Sequence, residues 1–190
     1  LRVGRVGRSE WMRKETMPMS GPKVYQIVGF KNAGKTTLVC GLVRLFTERG
    51  LRVGTIKRDA HGFEADRPDT DTWKHRHSGS AWTAITSGER TAIFSEAPSR
   101  LDELVQAASR ACDLVLVEGF KQERCPKLVL AREIGDAIEL AKLPAVTALV
   151  LWPEPFARRE TFKPEEGTET FALDDVAAIA EHIRRTLGLE

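Results

Sequence analysis

Four short stretches of this chain are apolar at almost every position. They are Val24-Tyr25-Gln26-Ile27-Val28, Leu114-Val115-Leu116-Val117, Lys127 to Arg132, and Ala145 to Trp152. Unbroken apolar runs of this length read as parallel strands buried on both faces. Between them the apolar residues recur every three or four positions. Leu38, Val39, Leu42, Val43, Leu45 and Phe46 predict a helix from Gly34 to Arg49, stopped by Gly50. Leu51 to Lys57 reads as a second strand, and the polar run from Arg58 to Pro68 as a mobile loop. Asp71 and Thr72 are candidate caps for a short helix to Ser78. Ala81 to Thr86 and Arg90 to Ser95 flank Ser87-Gly88-Glu89, the spacing of an antiparallel hairpin. Ser99 is the expected N-cap of a helix striped by Leu101, Leu104, Val105, Ala108 and Cys112. Ala137 to Lys142 is expected to be helical, and Pro153 to Thr170 a loop. Leu173 to Leu187 closes the chain as an amphipathic helix, capped by Asp174 and stopped at Gly188. Alternating strands and helices imply a doubly wound, mostly parallel α/β sheet flanked by helices, with an inserted antiparallel hairpin.

The first strand runs directly into Gly29-Phe30-Lys31-Asn32-Ala33-Gly34-Lys35-Thr36-Thr37, which fits G-x-x-x-x-G-K-[ST]. Strand, glycine loop and helix are the context a phosphate loop requires. The backbone N–H groups of such a loop form an anion nest, and the helix N-terminus adds its own unpaired donors. Gly29, Lys31, Asn32, Ala33, Gly34, Lys35, Thr36 and Thr37 are therefore the nucleotide-binding candidates. Lys35 is placed to reach the β and γ phosphates as a catalytic cation, and the Thr36 hydroxyl to bind Mg²⁺. The expected architecture is that of a phosphate-loop NTPase.

Such a site needs an acid at the carboxyl end of a neighbouring buried strand. Asp113-Leu114-Val115-Leu116-Val117-Glu118-Gly119 supplies Glu118 there, whereas Asp113 begins the strand and belongs at the opposite edge. Asp59, just beyond the second strand, is a candidate for orienting an attacking water or joining the metal shell through water; a solvated loop acid is the alternative. Lys121 and Lys127 are candidates for phosphate or second-anion contact, with solvated surface charge as the other reading. His61 reads as a polar ligand contact. His75 and His77, two apart, point in different directions on a helix and make a poor zinc pair. Trp73, Trp82 and Trp152 read as packing residues, Trp152 being notable for its place at a strand end. Glu154 is a candidate acceptor for a guanine edge, although no N-K-x-D signature is present.

The chain has 190 residues, with 42% hydrophobic and 29% charged content, ordinary for one globular domain. The net charge of +2 is concentrated at the start, where Arg2, Arg5, Arg8, Arg13 and Lys14 face only Glu10 and Glu15. Residues 1–20 are read as an over-extended start or a disordered leader, and residues 21–190 as a single nucleotide-binding domain. No basic face with interleaved aromatics points to nucleic acid, and no apolar run is long enough for a membrane span. Cys40, Cys112 and Cys125 are odd in number and lack C-x-x-C spacing, which fits a reducing cytoplasm. Cys40 and Cys112 are expected to be buried.

With these pieces in hand, the chain resembles the molybdopterin-guanine dinucleotide biosynthesis adapter family, MobB, from about Lys23 to Leu187. The resemblance rests on the phosphate loop, on Val-Glu-Gly-Phe-Lys at residues 117–121, and on Val53-Gly54-Thr55-Ile56-Lys57 with His61 and Pro68-Asp69-Thr70-Asp71-Thr72. It implies a GTP- and Mg²⁺-binding homodimer with weak GTPase activity. It also implies a role beside the molybdenum cofactor guanylyltransferase that attaches GMP to molybdopterin, and possible contact with molybdopterin-loaded proteins. Asp71 enters through this resemblance as a second-ligand candidate. Arg58 where the family usually has His, and Ser78-Gly79-Ser80 for its usual Ala-Gly-Ala, are departures that bear on those second-ligand contacts. A small-molecule kinase or ATP-dependent ligase on the same scaffold is the alternative, and would need an acceptor pocket and a general base.

Overall fold

A computed structural model of the chain describes residues 21–59, 61–161 and 166–190. The expectation for residues 1–20 lies outside the described residues. Six parallel strands form one sheet in the order β2-β5-β1-β6-β7-β8. These are β1 (Lys23–Gly29), β2 (Val53–Lys57), β5 (Leu114–Glu118), β6 (Lys127–Ala131), β7 (Val146–Leu151) and β8 (Glu169–Ala172). The strands β3 (Trp82–Thr86) and β4 (Thr91–Ser95) pair antiparallel as a separate two-stranded sheet, with Ala84 opposite Ile93.

Strand pleating sorts the apolar runs onto two covered faces. Tyr25, Ile27, Leu114, Leu116, Leu128, Leu130, Ala148 and Val150 share one core with Leu38, Leu42 and Phe46 of α1 (Lys35–Glu48). Ile179, Ala180 and Ile183 of α6 (Val176–Leu187) complete that layer. The alternate residues Val28, Val129, Leu149 and Leu151 meet Ala137 and Leu140 of α4 (Ile134–Leu140). Val115 and Val117 meet Leu101 of α3 (Leu101–Ala108). Cover on both faces explains why these strands lack apolar–polar alternation in sequence.

At the amino ends of the strands a polar chain, running from buried Tyr25 to exposed Glu169, ties β1, β7, β8 and α6 together. Tyr25 and Thr147 share a 2.7 Å hydrogen bond, Thr147 lies 3.1 Å from His182 Nε2, and His182 Nδ1 lies 3.0 Å from Glu169. Burial raises the Tyr25 pKa well above the usual phenol value, which keeps its hydroxyl protonated.

Several boundaries differ from those expected. The helix α2 (Asp71–His77) is capped by Thr70, whose side chain accepts from Trp73 N–H, so neither Asp71 nor Thr72 is the cap. Arg100 rather than Ser99 precedes α3, and Glu103, three residues on, accepts its N–H at 2.9 Å. In α6 the cap is Asp175, accepting from Ala178 N–H at 3.0 Å, and Asp174 lies before it. In each case neighbouring residues compete for the cap, and tertiary placement decides. The segment expected as loop after residue 152 contains α5 (Pro153–Ala157), a 3₁₀ turn at Arg159–Thr161 and the edge strand β8. Pro at the first position of α5 has the φ a helix start needs. Cys40 is exposed and Cys112 half-buried, against the expectation for both. Trp82, expected to pack, is 59% exposed.

Leu116 is fully buried in the central sheet, while Ile138 on α4 is 44% exposed. Leu116→Ala is expected to cost about 2–5 kcal/mol in urea unfolding, and Ile138→Ala within about 0.5 kcal/mol of zero. Equal losses would contradict the assignment of the core.

Candidate functional site

β1 ends at Gly29, where a Cβ would stand 2.5 Å from the Leu130 carbonyl of β6, so only glycine fits at that close strand approach. The loop then passes through two left-handed residues, Asn32 with φ 61° and Gly34 with φ 100°. Asn is among the few non-glycine residues that tolerate this conformation. Gly34 is the N-cap of α1 and has no side chain to offer its first turn, which contains no acid. The N–H groups there are left for an anion.

Thr36, one residue into α1, donates from Oγ1 to Glu118 Oε2 at 3.0 Å. Glu118 closes β5, which lies beside β1 with Ile27 opposite Glu118. The acid is 8% exposed, with Lys57 Nζ 3.8 Å from its other oxygen. Two hard oxygen groups thus converge from helix and strand, and they are of the type that could hold Mg²⁺. Asp113 sits at the other end of β5 and pairs with Arg52 at 2.7 Å, as its position in the strand predicts.

Lys35 Nζ donates to Phe30 O at 2.7 Å, across the loop's own backbone. Burial holds its pKa below the ordinary lysine value; Glu118 opposes that shift, and Lys121 and Lys57 reinforce it. Lys121 is drawn in by the Phe30 ring, with its ammonium 4.4 Å from the centroid. Lys35 therefore feels two further ammonium groups and one carboxylate, an excess of positive charge that a polyanion would relieve.

Two residues outside the motif hold this arrangement. Gln26 and Lys127 are fully buried and face each other across β1 and β6. Gln26 Nε2 donates to Gly119 O at 3.1 Å and to Phe120 O at 2.9 Å. Lys127 Nζ donates to Lys121 O at 2.9 Å and to Glu123 O. Together they anchor the turn after Glu118, where Gly119 and Phe120 both have positive φ. This corrects the expectation for Lys127, which is neither a surface charge nor placed as a phosphate contact. Its ammonium is committed to two backbone carbonyls. The signal was present: a Gln and a Lys inside otherwise apolar strands must find buried partners.

The structure brings Gly29, Ala33, Gly34, Lys35, Thr36, Glu118 and Lys121 together at the carboxyl edge of the sheet, the usual ligand side of a parallel α/β fold. Lys31, Asn32 and Thr37 lie exposed on the loop and first helical turn. Asp59 and His61 are exposed beyond β2 and contact each other, Asp59 Oδ1 accepting from His61 N–H at 2.9 Å. Asp71 is exposed at the start of α2. Glu154 lies in α5, 3.3 Å from Arg158.

The family model described as "Molybdopterin guanine dinucleotide synthesis protein B" matches residues 24–152. The chain belongs to the MobB family. It is 40% identical over 129 residues to a molybdopterin-guanine dinucleotide biosynthesis adapter protein of Haemophilus influenzae, covering 66% of this chain and 70% of that one. The Escherichia coli adapter protein is 37% identical over 123 residues, covering 60% of this chain and 70% of that protein. The crystal structure of Bacillus subtilis MobB superposes with a TM-score of 0.69 at 26% identity, over 88% of this chain and 99% of that one. The fold is thus that of a MobB phosphate-loop protein. Among the described residues, no helix is long and apolar enough to cross a membrane.

Lys127→Ala removes two hydrogen bonds and leaves a cavity, so it is expected to cost about 2–4 kcal/mol in thermal or urea unfolding. Lys121→Ala, at a half-buried surface position, is expected to leave stability within about 1 kcal/mol of wild type. The reverse order would contradict the anchoring role of Lys127.

Proposed function

We propose that this MobB-family chain is a GTP-binding adapter of molybdenum cofactor biosynthesis. In this reading GTP lies in the loop from Gly29 to Thr37, with Lys35 on the β and γ phosphates and Lys121 a further cation beside them. The observation that carries the reading is the 3.0 Å contact between Thr36 Oγ1 and Glu118 Oε2 at the mouth of the loop. A bound Mg²⁺ would neutralise charge on the β and γ phosphates there, with Thr36 and Glu118 as its protein partners. Asp59, and with it His61 and Asp71 on the segment beyond β2, are proposed to respond to the γ phosphate or to a second ligand. The names of the relatives favour guanine and an adapter role over the kinase or ligase alternative.

An adapter works through its partners, and the guanylyltransferase that joins GMP to molybdopterin is the proposed one. Molybdopterin-loaded proteins are a second proposed class of partner. The exposed side chains of Trp82 and Ile93, on one face of the β3–β4 hairpin, support a homodimer, since adjacent apolar groups of this size gain from being covered. The site of action is proposed to be the cytoplasm, where these thiols stay reduced. Hydrolysis is proposed to be slow, because the sequence offers no evident arginine finger or water-orienting glutamine.

Calorimetry with GTP and ATP in Mg²⁺ tests this reading. GTP is expected to bind more tightly, and Lys35→Ala to weaken it about a hundredfold, as expected for losing a buried charge-assisted contact. Affinity should fall as pH rises through the lowered Lys35 pKa, since the neutral amine no longer attracts phosphate. Tight GTP binding by Lys35→Ala, or turnover of many per second by the isolated protein, would contradict the proposal.

A further inference from the structure

Trp152 follows β7, and its indole N–H donates to the Ala33 carbonyl of the phosphate loop at 2.8 Å. The contact joins residues 119 positions apart in sequence. Its backbone is fixed as well, Trp152 N–H donating to Ala131 O at 3.2 Å. The Arg132 guanidinium lies over the indole ring, 4.7 Å from the centroid, and closes it in from the end of β6. Ala33 itself is 1% exposed, so its carbonyl depends on a protein partner.

The consequence follows from amide planarity. The Ala33 carbonyl and the Gly34 N–H belong to one trans peptide unit and must point in opposite directions. With its oxygen held outward on Trp152, that peptide turns the Gly34 N–H toward the inside of the loop, where the nest would receive a phosphate. Rotation of this peptide changes φ of Gly34, which has no Cβ to resist it. A flipped Ala33–Gly34 peptide would aim a carbonyl at the anion instead.

We propose that Trp152 is a positioning residue of the phosphate site, holding the Ala33–Gly34 peptide in its anion-binding orientation, with Arg132 clamping the indole. The proposal rests on the reading that this loop binds a triphosphate. It assigns Trp152 to the phosphates and not to the base, so its loss should be felt equally by any ligand with a triphosphate group.

The test compares full-length wild type, Trp152→Phe and Arg132→Met for binding of GTP and of inorganic triphosphate, well below the melting temperature. The Gly34 amide resonance is followed by NMR in the same titrations. Trp152→Phe keeps a ring and removes the donor; it is expected to weaken both ligands by about tenfold and to shrink the ligand-induced shift of the Gly34 amide. Arg132→Met, at an exposed position, is expected to weaken both by two- to threefold, and it decides the matter alone if Trp152→Phe does not fold. A lower melting temperature with unchanged affinity and an unchanged Gly34 shift would overturn the proposal, leaving Trp152 a packing residue. Loss of GTP affinity with triphosphate binding intact would also overturn it, by placing the indole against the base. Wild-type protein that binds neither ligand would remove the nucleotide reading itself, and this proposal with it.

Discussion

A hydroxyl near the start of one helix and a carboxylate at the end of one strand meet at 3.0 Å: Thr36 and Glu118. For that contact to exist, β1 must turn into α1 at Gly34, and β5 must lie beside β1 in register, Ile27 opposite Glu118. The sheet order secures this, because β1 sits between β5 and β6 and is buried on both faces. A strand so enclosed cannot slip by one residue without exchanging its two apolar faces. Core packing thereby sets the distance between the two oxygen groups, and the site inherits the rigidity of the sheet.

Around that pair the polar groups fall into two kinds. Lys35 feels Lys57 and Lys121 as well as Glu118, so the ammonium groups outnumber the one carboxylate, which is the electrostatic character of an anion site. Gln26 and Lys127 make no such approach. They spend buried side chains on the backbone of the turn after Glu118 and so hold Lys121 against Phe30. On the other flank Trp152 does the same for the loop itself through Ala33. The turn after Glu118 is therefore braced from β1 and β6, and the phosphate loop from the end of β7.

Much of this was legible in the residues because each signal had one physical meaning. Apolar runs at β1, β5 and β7 are too short for buried helices and read as strands covered on both faces, and Gly-x-x-x-x-Gly-Lys-Thr after such a strand has few other uses. Glu118 rather than Asp113 followed from strand direction alone. Local signals failed where several residues shared a preference: Thr70, Asp71 and Thr72 are all cap formers, as are Asp174 and Asp175, and only the chain's path chooses among them. The strand β8 was hidden in a charged stretch because an edge strand needs fewer apolar residues than a central one. Lys127 fits neither an anion contact nor a surface charge, because both expectations treat lysine as solvent-facing and its ammonium is buried on backbone carbonyls. The Trp152–Ala33 contact joins distant parts of the chain, and no local pattern announces it.

The central claim is that Thr36 and Glu118 share a metal ion with a triphosphate, and the metal dependence of GTP binding in Glu118→Gln tests it most directly. Affinity is measured with Mg²⁺ and again with Mg²⁺ removed by chelation. The account predicts that wild-type protein binds much more tightly with the metal, and that Glu118→Gln loses most of that gain while its metal-free affinity stays near wild type. Undiminished Mg²⁺ enhancement in Glu118→Gln would contradict it.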